Sequence, residues 1–251
     1  LKLPVPPGFT ITTEVCNKYY DNNGKLPKDV MPAVMKNIAK MEKKTGKKWN
    51  STKNPLLVSV RSGAAISMPG MMDTILNLGL NEKTVEGFAE QTKNPRFSWD
   101  SYRRFIQLFG KVVFGVNDEK FDHVLDDAKE KQGVTDDSKL SVESLKSIVS
   151  KYKKICEEHT KRKFPDTPNE QLVLSIEAVF KSWMGERAIV YREKNNITKD
   201  IANGTAVNVV TMVFGNMGDD SATGVVFTRN GHNGKKEIEG EYLINAQGED
   251  V

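Results

Sequence analysis

The stretch SVRSGAAISMPGMMDT, residues 59–74, is the most informative part of the sequence. It begins within an apolar run that carries an arginine near its end, and two glycines follow. The run itself, LLVSVRS at residues 56–62, is rich in β-branched residues and predicts a buried strand that carries Arg61 near its end. Gly63 and Gly70 let the backbone approach a ligand closely, and the N–H groups of a glycine-bearing turn can bind an anion. The stretch therefore predicts a phosphate site.

Arg61 supports this interpretation through its planar guanidinium, which can hold two phosphate oxygens at once. A buried arginine needs an anionic partner, and residues 56–74 offer only Asp73. The alternative is a loop whose glycines only make turns, with Arg61 paired to a local carboxylate. The spacing fits neither a P-loop, which needs a lysine after glycine, nor a dinucleotide-binding fingerprint.

Around this stretch, residues 1–80 and 167–204 mix strand-like and helical patterns and predict an α/β part. One helix is expected to begin after Asp29 as N-cap and to end at Gly46. Its apolar face is the set Val30, Val34, Ile38 and Met41. A further helix is expected to begin near Asn169.

Residues 81–166 show helical spacing throughout and predict an inserted all-helical subdomain, with Ser98 placed to cap its aromatic helix. After Gly204 the period becomes two, and turn-rich segments separate the apolar runs. Residues 205–251 are therefore predicted to form an antiparallel β meander, which makes the fold class α+β. Its three strands are expected at residues 205–214, 223–230 and 236–246.

The composition, 38% hydrophobic and 28% charged, is typical of a globular protein, and no apolar run approaches the roughly 18 residues of a membrane span. Cys16 and Cys156 are too few for a disulfide scaffold, which favours a reducing, cytoplasmic setting, with an organelle as alternative. Neither they nor His123, His159 and His232 have metal-ligand spacing. The net charge of +4 and the short lysine clusters favour solvated helix faces over nucleic-acid binding.

Six phrases of the chain closely resemble the N-terminal nucleotide-binding domains of the pyruvate, phosphate dikinase family. They occur in the family's order along nearly the whole sequence, and the SVRSGA–SMPGMMDT phrase differs from the AVRSS-type phrase of the related pyruvate, water dikinases. The phrases are LPVPPGFTITTEVC, LLVSVRSGAAISMPGMMDTILNLGLN, SWDSYRRFIQLFG, AVNVVTMVFGNMG, ATGVVFTRN and GEYLINAQGEDV.

The resemblance implies an ATP-grasp-like domain that binds Mg·ATP between an α/β part and an antiparallel sheet. Family members cleave ATP to AMP, pass the β-phosphoryl group through a histidine on a separate swivelling domain, and transfer the γ-phosphoryl group to phosphate. A barrel domain then exchanges the phosphoryl group between phosphoenolpyruvate and pyruvate. A homodimer is expected for the intact enzyme.

The resemblance also assigns site residues one by one. Arg61 corresponds to the arginine that binds the ATP phosphates, and Arg104 in SYRRF is expected to reach the site from the helical insertion. Thr228 is expected to face the phosphates from a strand, and Glu241 to contact the ribose or adenine. The loop over the phosphates corresponds to Gly70, Met71, Met72, Asp73 and Thr74, and the strand that reads the adenine edge to Met212, Val213 and Phe214. Many relatives have glutamine where this chain has Val210.

Other family motifs are expected outside this sequence, which opens without a methionine and is interpreted as part of a longer chain. These motifs are a GGKG phrase with a phosphate-binding lysine, a DxE phrase that holds magnesium, an LQTR phrase and the carrier-histidine motif. Without them the isolated chain is expected to bind Mg²⁺ poorly and to be inactive. A nucleotide-binding module without chemistry of its own, or a pyruvate, water dikinase-type enzyme, remains the alternative.

Overall fold

The computed structural model describes residues 3–248 and divides the chain into two compact units, Leu1–Met212 and Val213–Val251. None of the described helices is both long and apolar enough to cross a membrane. The elements of the first unit are α1 (Thr13–Asp21), α2 (Val30–Thr45), α3 (Glu82–Thr92), α4 (Pro95–Phe114), α5 (Glu119–Gln132), α6 (Val142–Thr160), α7 (Pro168–Ser182), α8 (Glu186–Lys194), β1 (Gly8–Ile11), β2 (Val58–Gly63), β3 (Thr74–Leu78) and β4 (Ala206–Thr211).

The centre of the first unit is a four-stranded sheet in the order β1-β4-β2-β3, in which every neighbouring pair is antiparallel. One face is apolar: Val60, Val207 and Val209 are fully buried there, and α7 packs against β2, β3 and β4. Because side chains alternate along a strand, the intervening residues point to the opposite face. That second face carries the polar side chains described below.

The predicted helix after Asp29 is confirmed as α2, and its four predicted apolar positions are all buried. Gly46 ends it in the left-handed conformation at φ 71°, which glycine adopts without strain. The helix expected near Asn169 is α7. The α2 prediction rested on apolar spacing together with the terminal residues Asp29 and Gly46, and the α7 prediction on apolar spacing alone.

Residues 81–166 contain α3–α6 and a short 3-10 helix at Asp137–Lys139, with no strand over this fully described range. The predicted cap Ser98 is wrong, because α4 begins earlier. Asn94 accepts a hydrogen bond from the Phe97 N–H at 3.1 Å, and Pro95 occupies the first turn. The block packs on the sheet through α4 and β3 and belongs to the same compact unit, so a separate inserted subdomain stays a prediction.

The predicted three-stranded meander is wrong, since β4 pairs with β1 and β2 in the first unit. Its alternation buries Val207, Val209 and Thr211 against the core, which explains why it joins the larger sheet. The turn-rich residues after Thr211 form no tight hairpin to the next strand. The boundary between compact units consequently falls after Met212 and not at Gly204.

The second unit contains a two-stranded antiparallel sheet of β5 (Ala222–Phe227) and β6 (Glu239–Ile244), with Val225 opposite Glu241. Nearly all of its strand residues are exposed, including Phe227 and Tyr242. The α+β class of the chain is confirmed by its helices and antiparallel sheets, whereas the ATP-grasp-like detail stays a prediction. Glu249 and Asp250 lie outside the described residues.

Candidate functional site

Arg61 is placed at the middle of the sheet by strand β2, where it faces away from the apolar core. The sequence interpretation that this arginine is buried is wrong, because its side chain is exposed. Its backbone is nevertheless held by ladders on both sides, opposite Thr74 on β3 and Asn208 on β4. Within residues 3–248 its guanidinium has neither a hydrogen-bond acceptor nor a carboxylate partner. The alternative of a local carboxylate pair is therefore not what the structure shows.

Four polar side chains form one row across this face of the sheet, in the order Thr10, Asn208, Arg61, Thr74. The strand register sets the row, since Thr10 lies opposite Asn208, Asn208 opposite Arg61, and Arg61 opposite Thr74. Directly opposite residues of antiparallel strands have adjacent side chains. The Thr10 hydroxyl donates to the Asn208 Oδ1 at 2.7 Å. We call these four residues the polar row.

The loop that follows β2 is shaped by a turn at Met68–Pro69–Gly70–Met71, closed by a bond from the Met71 N–H to the Met68 carbonyl oxygen at 3.2 Å. Proline at the second position and glycine at φ +70° at the third are the residues that a type II turn prefers. Gly70 is exposed, so the tip of the loop lies open to solvent. The loop then leads directly into β3 at Thr74.

Met71 and Met72, predicted to lie over the phosphates, direct their side chains into a small apolar cluster. The buried members of this cluster include Met68 and Trp183, and the two methionines pack against it half-buried. Their role in the structure is to attach the loop to the region of α7 and α8. Their side chains therefore do not extend from the loop into solvent, and their predicted place over the phosphates stays a prediction.

Asp73 forms the second attachment of the loop. Its carboxylate accepts a bond from Arg187 Nη2 at 3.2 Å, and its N–H donates to the Ser182 Oγ at 3.4 Å. Burial raises the pKa of Asp73, and the positive charges of Arg187 and Lys111 oppose that shift. No sequence pattern marked Arg187, which is 114 positions away along the chain.

Arg104 lies on α4, where its Nε donates to Asp100 Oδ2 at 3.2 Å and its side chain is 27% exposed. The neighbouring Arg103 is buried and holds the same carboxylate, with Nη2 2.7 Å from Oδ1. Burial of Asp100 would raise its pKa, but the two guanidinium groups outweigh that effect and hold the pKa below its ordinary value. Arg103 is thus structural, and Arg104 is the arginine of this pair with access to solvent.

The predicted adenine-reading residues follow β4 and are not part of a strand. The Met212 N–H donates to the Leu57 carbonyl oxygen at 2.9 Å, which extends the ladder by one bond. Val213, on the other side of the unit boundary, is 71% exposed, and in the described part of the chain its backbone has no hydrogen-bond partner.

In the second unit, Glu241 is an exposed residue of β6, and Thr228 follows the last residue of β5 and does not lie within it. Glu241 also lines a concavity of about 330 Å³ within that unit. The other residues of its lining are Phe227, Gly231, His232, Glu239 and Gly240.

A dedicated magnesium site does not fit the described residues. Magnesium in nucleotide sites is usually held by one or two carboxylates together with phosphate oxygens. Over residues 3–248 no three His, Cys, Asp or Glu side chains come together as a metal-binding group, and Asp73 is already paired with Arg187. The described residues therefore provide no preformed cluster that would hold the ion without a nucleotide.

Residues 23–251 match the family model described as pyruvate phosphate dikinase, AMP/ATP-binding domain. The chain belongs to this family. It is 55% identical to a pyruvate, phosphate dikinase of Entamoeba histolytica and 52% identical to one of Clostridium symbiosum, over 99% and 100% of its length. It is also 50% identical over 99% of its length to the Arabidopsis thaliana protein named pyruvate, phosphate dikinase 1, chloroplastic. The chain spans 28%, 29% and 26% of the length of these relatives.

Sequence reasoning missed Asn208, Thr10 and Arg187. Asn208 stands between valines in β4, so the alternation alone could have marked it as the polar position of a buried strand. Its place beside Arg61 depends on the pairing of β4 with β2, which the meander prediction excluded.

Proposed function

We propose that this chain is the ATP-binding part of a pyruvate, phosphate dikinase. That enzyme would convert ATP, phosphate and pyruvate reversibly to AMP, pyrophosphate and phosphoenolpyruvate. Membership of the AMP/ATP-binding domain family and identities above 50% to two named dikinases support the proposal. The single observation that supports a particular site is the environment of Arg61. This exposed arginine lies on a central strand, paired on both sides, and has no anionic partner in the described chain.

The phosphate chain of ATP would lie along the sheet face that carries Arg61. Two parallel N–H···O bonds from a guanidinium fit a phosphate and are stronger than neutral hydrogen bonds. The turn at Gly70 would bring backbone N–H groups toward the same phosphates, and Thr74 would add a hydroxyl. Arg104 would contribute a second positive charge from α4. The roles of Thr228 and Glu241, which belong to the second unit, follow from the family resemblance alone.

The segment of Met212, Val213 and Phe214 would read the adenine edge through its backbone. Phosphoryl transfer depends on positioning and on neutralising charge, so Arg61 would stabilise the charge that develops on the transferred group. Magnesium would supply further positive charge, with its carboxylate ligands expected beyond this chain. The acceptor of the β-phosphoryl group would be a histidine on a separate swivelling domain of the same polypeptide.

Finer features of the proposal follow from the family resemblance alone. They are an ATP-grasp-like architecture, residues 81–166 as an inserted subdomain, and a homodimeric parent enzyme. The compartment would be the cytoplasm or, as the name of the Arabidopsis relative suggests for that protein, an organelle.

The test is to change Arg61 in the full-length enzyme and to measure each half-reaction separately. Arg61→Ala should slow the ATP half-reaction by at least about two orders of magnitude, or roughly 3 kcal/mol of transition-state stabilisation. Arg61→Lys keeps the charge but loses the paired hydrogen bonds, so it should also be impaired. The exchange of phosphoenolpyruvate with pyruvate should barely change. An equal loss in both half-reactions would show that Arg61 is structural.

A further inference from the structure

The polar row contains a second hydrogen-bond donor beside Arg61, and this donor has no partner in the described chain. Asn208 lies directly opposite Arg61 on β4, on the same face of the sheet. Its Oδ1 accepts from the Thr10 hydroxyl at 2.7 Å, on the side of β1. The Nδ2 group consequently points the other way, toward β2.

Gly63 shows where the Nδ2 group lies. A Cβ built on Gly63 would approach the Asn208 Nδ2 to 2.6 Å, which is closer than real side chains come. Gly63 is on the same face as Arg61, two residues further along β2. Its φ is not in the left-handed region, so the glycine is explained here by space and not by backbone conformation. The absent side chain leaves room for the amide at the end of β2, where the loop toward β3 begins.

The charge pattern around the amide favours an anion. The row presents the Arg61 guanidinium, the Asn208 amide and the Thr74 hydroxyl, and contains no carboxylate. The next pair on the same face is small, Gly63 opposite Ala206, so no bulky side chain stands beside the donors at that end. An amide N–H that has no acceptor in the protein can donate a hydrogen bond to an oxygen atom of a ligand and so stabilise its binding.

We propose that Asn208 is a phosphate-binding residue of the nucleotide site, and that Thr10 is the positioning residue that orients its amide. This inference rests on the proposed function, because it assigns to Asn208 the same triphosphate that Arg61 would hold. The Asn208 Nδ2 would donate to a phosphate oxygen next to the one gripped by Arg61. The Asn208 Oδ1 would repel the phosphate oxygen. By donating to Oδ1, the Thr10 hydroxyl would keep it turned away from the phosphate.

The decisive experiment is Asn208→Asp in the full-length protein, with Kd for ATP and for adenosine measured by calorimetry in the same buffer. Aspartate keeps the acceptor for Thr10 but replaces the donor with a negative oxygen. ATP binding should weaken by about 10- to 100-fold, the usual loss for a hydrogen bond to a charged group. Adenosine has no phosphate, so its Kd should change less than about twofold.

Asn117→Asp is the control for added charge, because Asn117 is an exposed loop residue whose Oδ1 accepts from the Glu119 N–H and would still do so as aspartate. Aspartate loses only the exposed bond from Nδ2 to Glu119 Oε2. It adds the same charge and should leave both Kd values unchanged. Equal weakening of ATP and adenosine by Asn208→Asp would mean a general distortion and would overturn the inference. Unchanged ATP binding would overturn it as well.

Thr10→Val tests the positioning role without altering the charge, and valine suits a strand equally well. It should weaken ATP binding by about three- to tenfold with adenosine unaffected, and Thr10→Ser should restore it. ATP binding at wild-type strength in Thr10→Val would contradict the orienting role. Arg61→Ala distinguishes a failure of the phosphate site from a failure of the Asn208 assignment. If Arg61→Ala leaves ATP binding intact, the proposed phosphate site itself is wrong. If only Arg61→Ala weakens binding, the site stands and the assignment of Asn208 falls.

Discussion

The two units of the chain differ in how far their apolar side chains are buried. In the first unit, helices cover one face of the four-stranded sheet, and Phe105 on α4 is 0% exposed. In the second unit, both faces of the β5–β6 pair are open, and Phe227 is 61% exposed. A two-stranded sheet is at best marginally stable alone in water. Burial should therefore stabilise the first unit, whereas the described residues of β5 and β6 bury little apolar surface.

The largest expected effect is on the aromatic core of the first unit. Phe105→Ala should lower the free energy of unfolding by about 3–5 kcal/mol, because it removes a fully buried ring and leaves a cavity. Phe227→Ala in the second unit should change it by about 0.5 kcal/mol or less, since that ring is already largely solvated. Urea unfolding of both variants measures the contrast. Similar losses would contradict it, because they would mean that β5–β6 shares the cooperative core.

The contrast between local and long-range structure also explains which parts of the fold could be predicted from sequence. The α2 and α7 predictions succeeded because the spacing of apolar residues is local, and for α2 the terminal residues Asp29 and Gly46 also marked its ends. The meander failed because the pairing of β4 with β1 joins residues far apart in the chain, such as Thr10 and Asn208, which are 198 positions apart. Alternation predicts that a segment is a strand but not which strand it pairs with.

The site was predicted in part for the same reason. Arg61 and the turn at Gly70 lie in one contiguous phrase, so motif and resemblance both reached them, although the exposure of Arg61 did not follow from its apolar neighbours. Asn208 lies beside Arg61, and Arg187 contacts Asp73 of the loop, only because the tertiary structure brings together residues that are far apart in the sequence. Alternation can mark Asn208 as a polar strand position, but it cannot show that the strand pairs with β2 and brings Asn208 beside Arg61.

A second, slightly smaller effect is expected at the buried ion pair of α4. Asp100→Asn should destabilise the first unit by about 3 kcal/mol at neutral pH, because it leaves the Arg103 charge buried with less compensation. The pKa of Asp100 is held below its ordinary value, so its stabilising contribution is present above that ordinary value. The contribution is lost as the pH falls through the lowered pKa.

The measurement for Asp100 is the free energy of unfolding of wild type and variant across the acid range. The difference between them should be constant at neutral pH and should shrink only when the wild-type carboxylate becomes protonated. A variant that is as stable as the wild type at neutral pH would show that Arg103 finds sufficient partners in Asp137 and Gln107.

A smaller effect is expected at Gly63, where the absence of a side chain leaves room for the Asn208 amide. Gly63→Ala should cost about 1 kcal/mol of stability, because the new methyl group meets the end of a side chain that can move. The displaced Asn208 amide should shift in the NMR spectrum of the free protein. An unmoved amide resonance would mean that the backbone of β2 accommodates the methyl group instead.

The smallest effect concerns the attachment of the loop between β2 and β3, which is largely exposed at Pro69 and Gly70. The Arg187–Asp73 pair lies at the surface, with Arg187 69% exposed, so Arg187→Gln should cost only about 0.5 kcal/mol of stability. The pKa of Asp73 is raised by burial and partly restored by Arg187, so it should rise further in the variant. Because a raised carboxylate pKa means that the folded state binds protons more tightly, stability should fall as the pH rises through this range, and should fall further in Arg187→Gln. NMR titration of the Asp73 carboxylate in both proteins measures the shift. An unchanged pKa would show that Arg187 does not stabilise the charged form of Asp73.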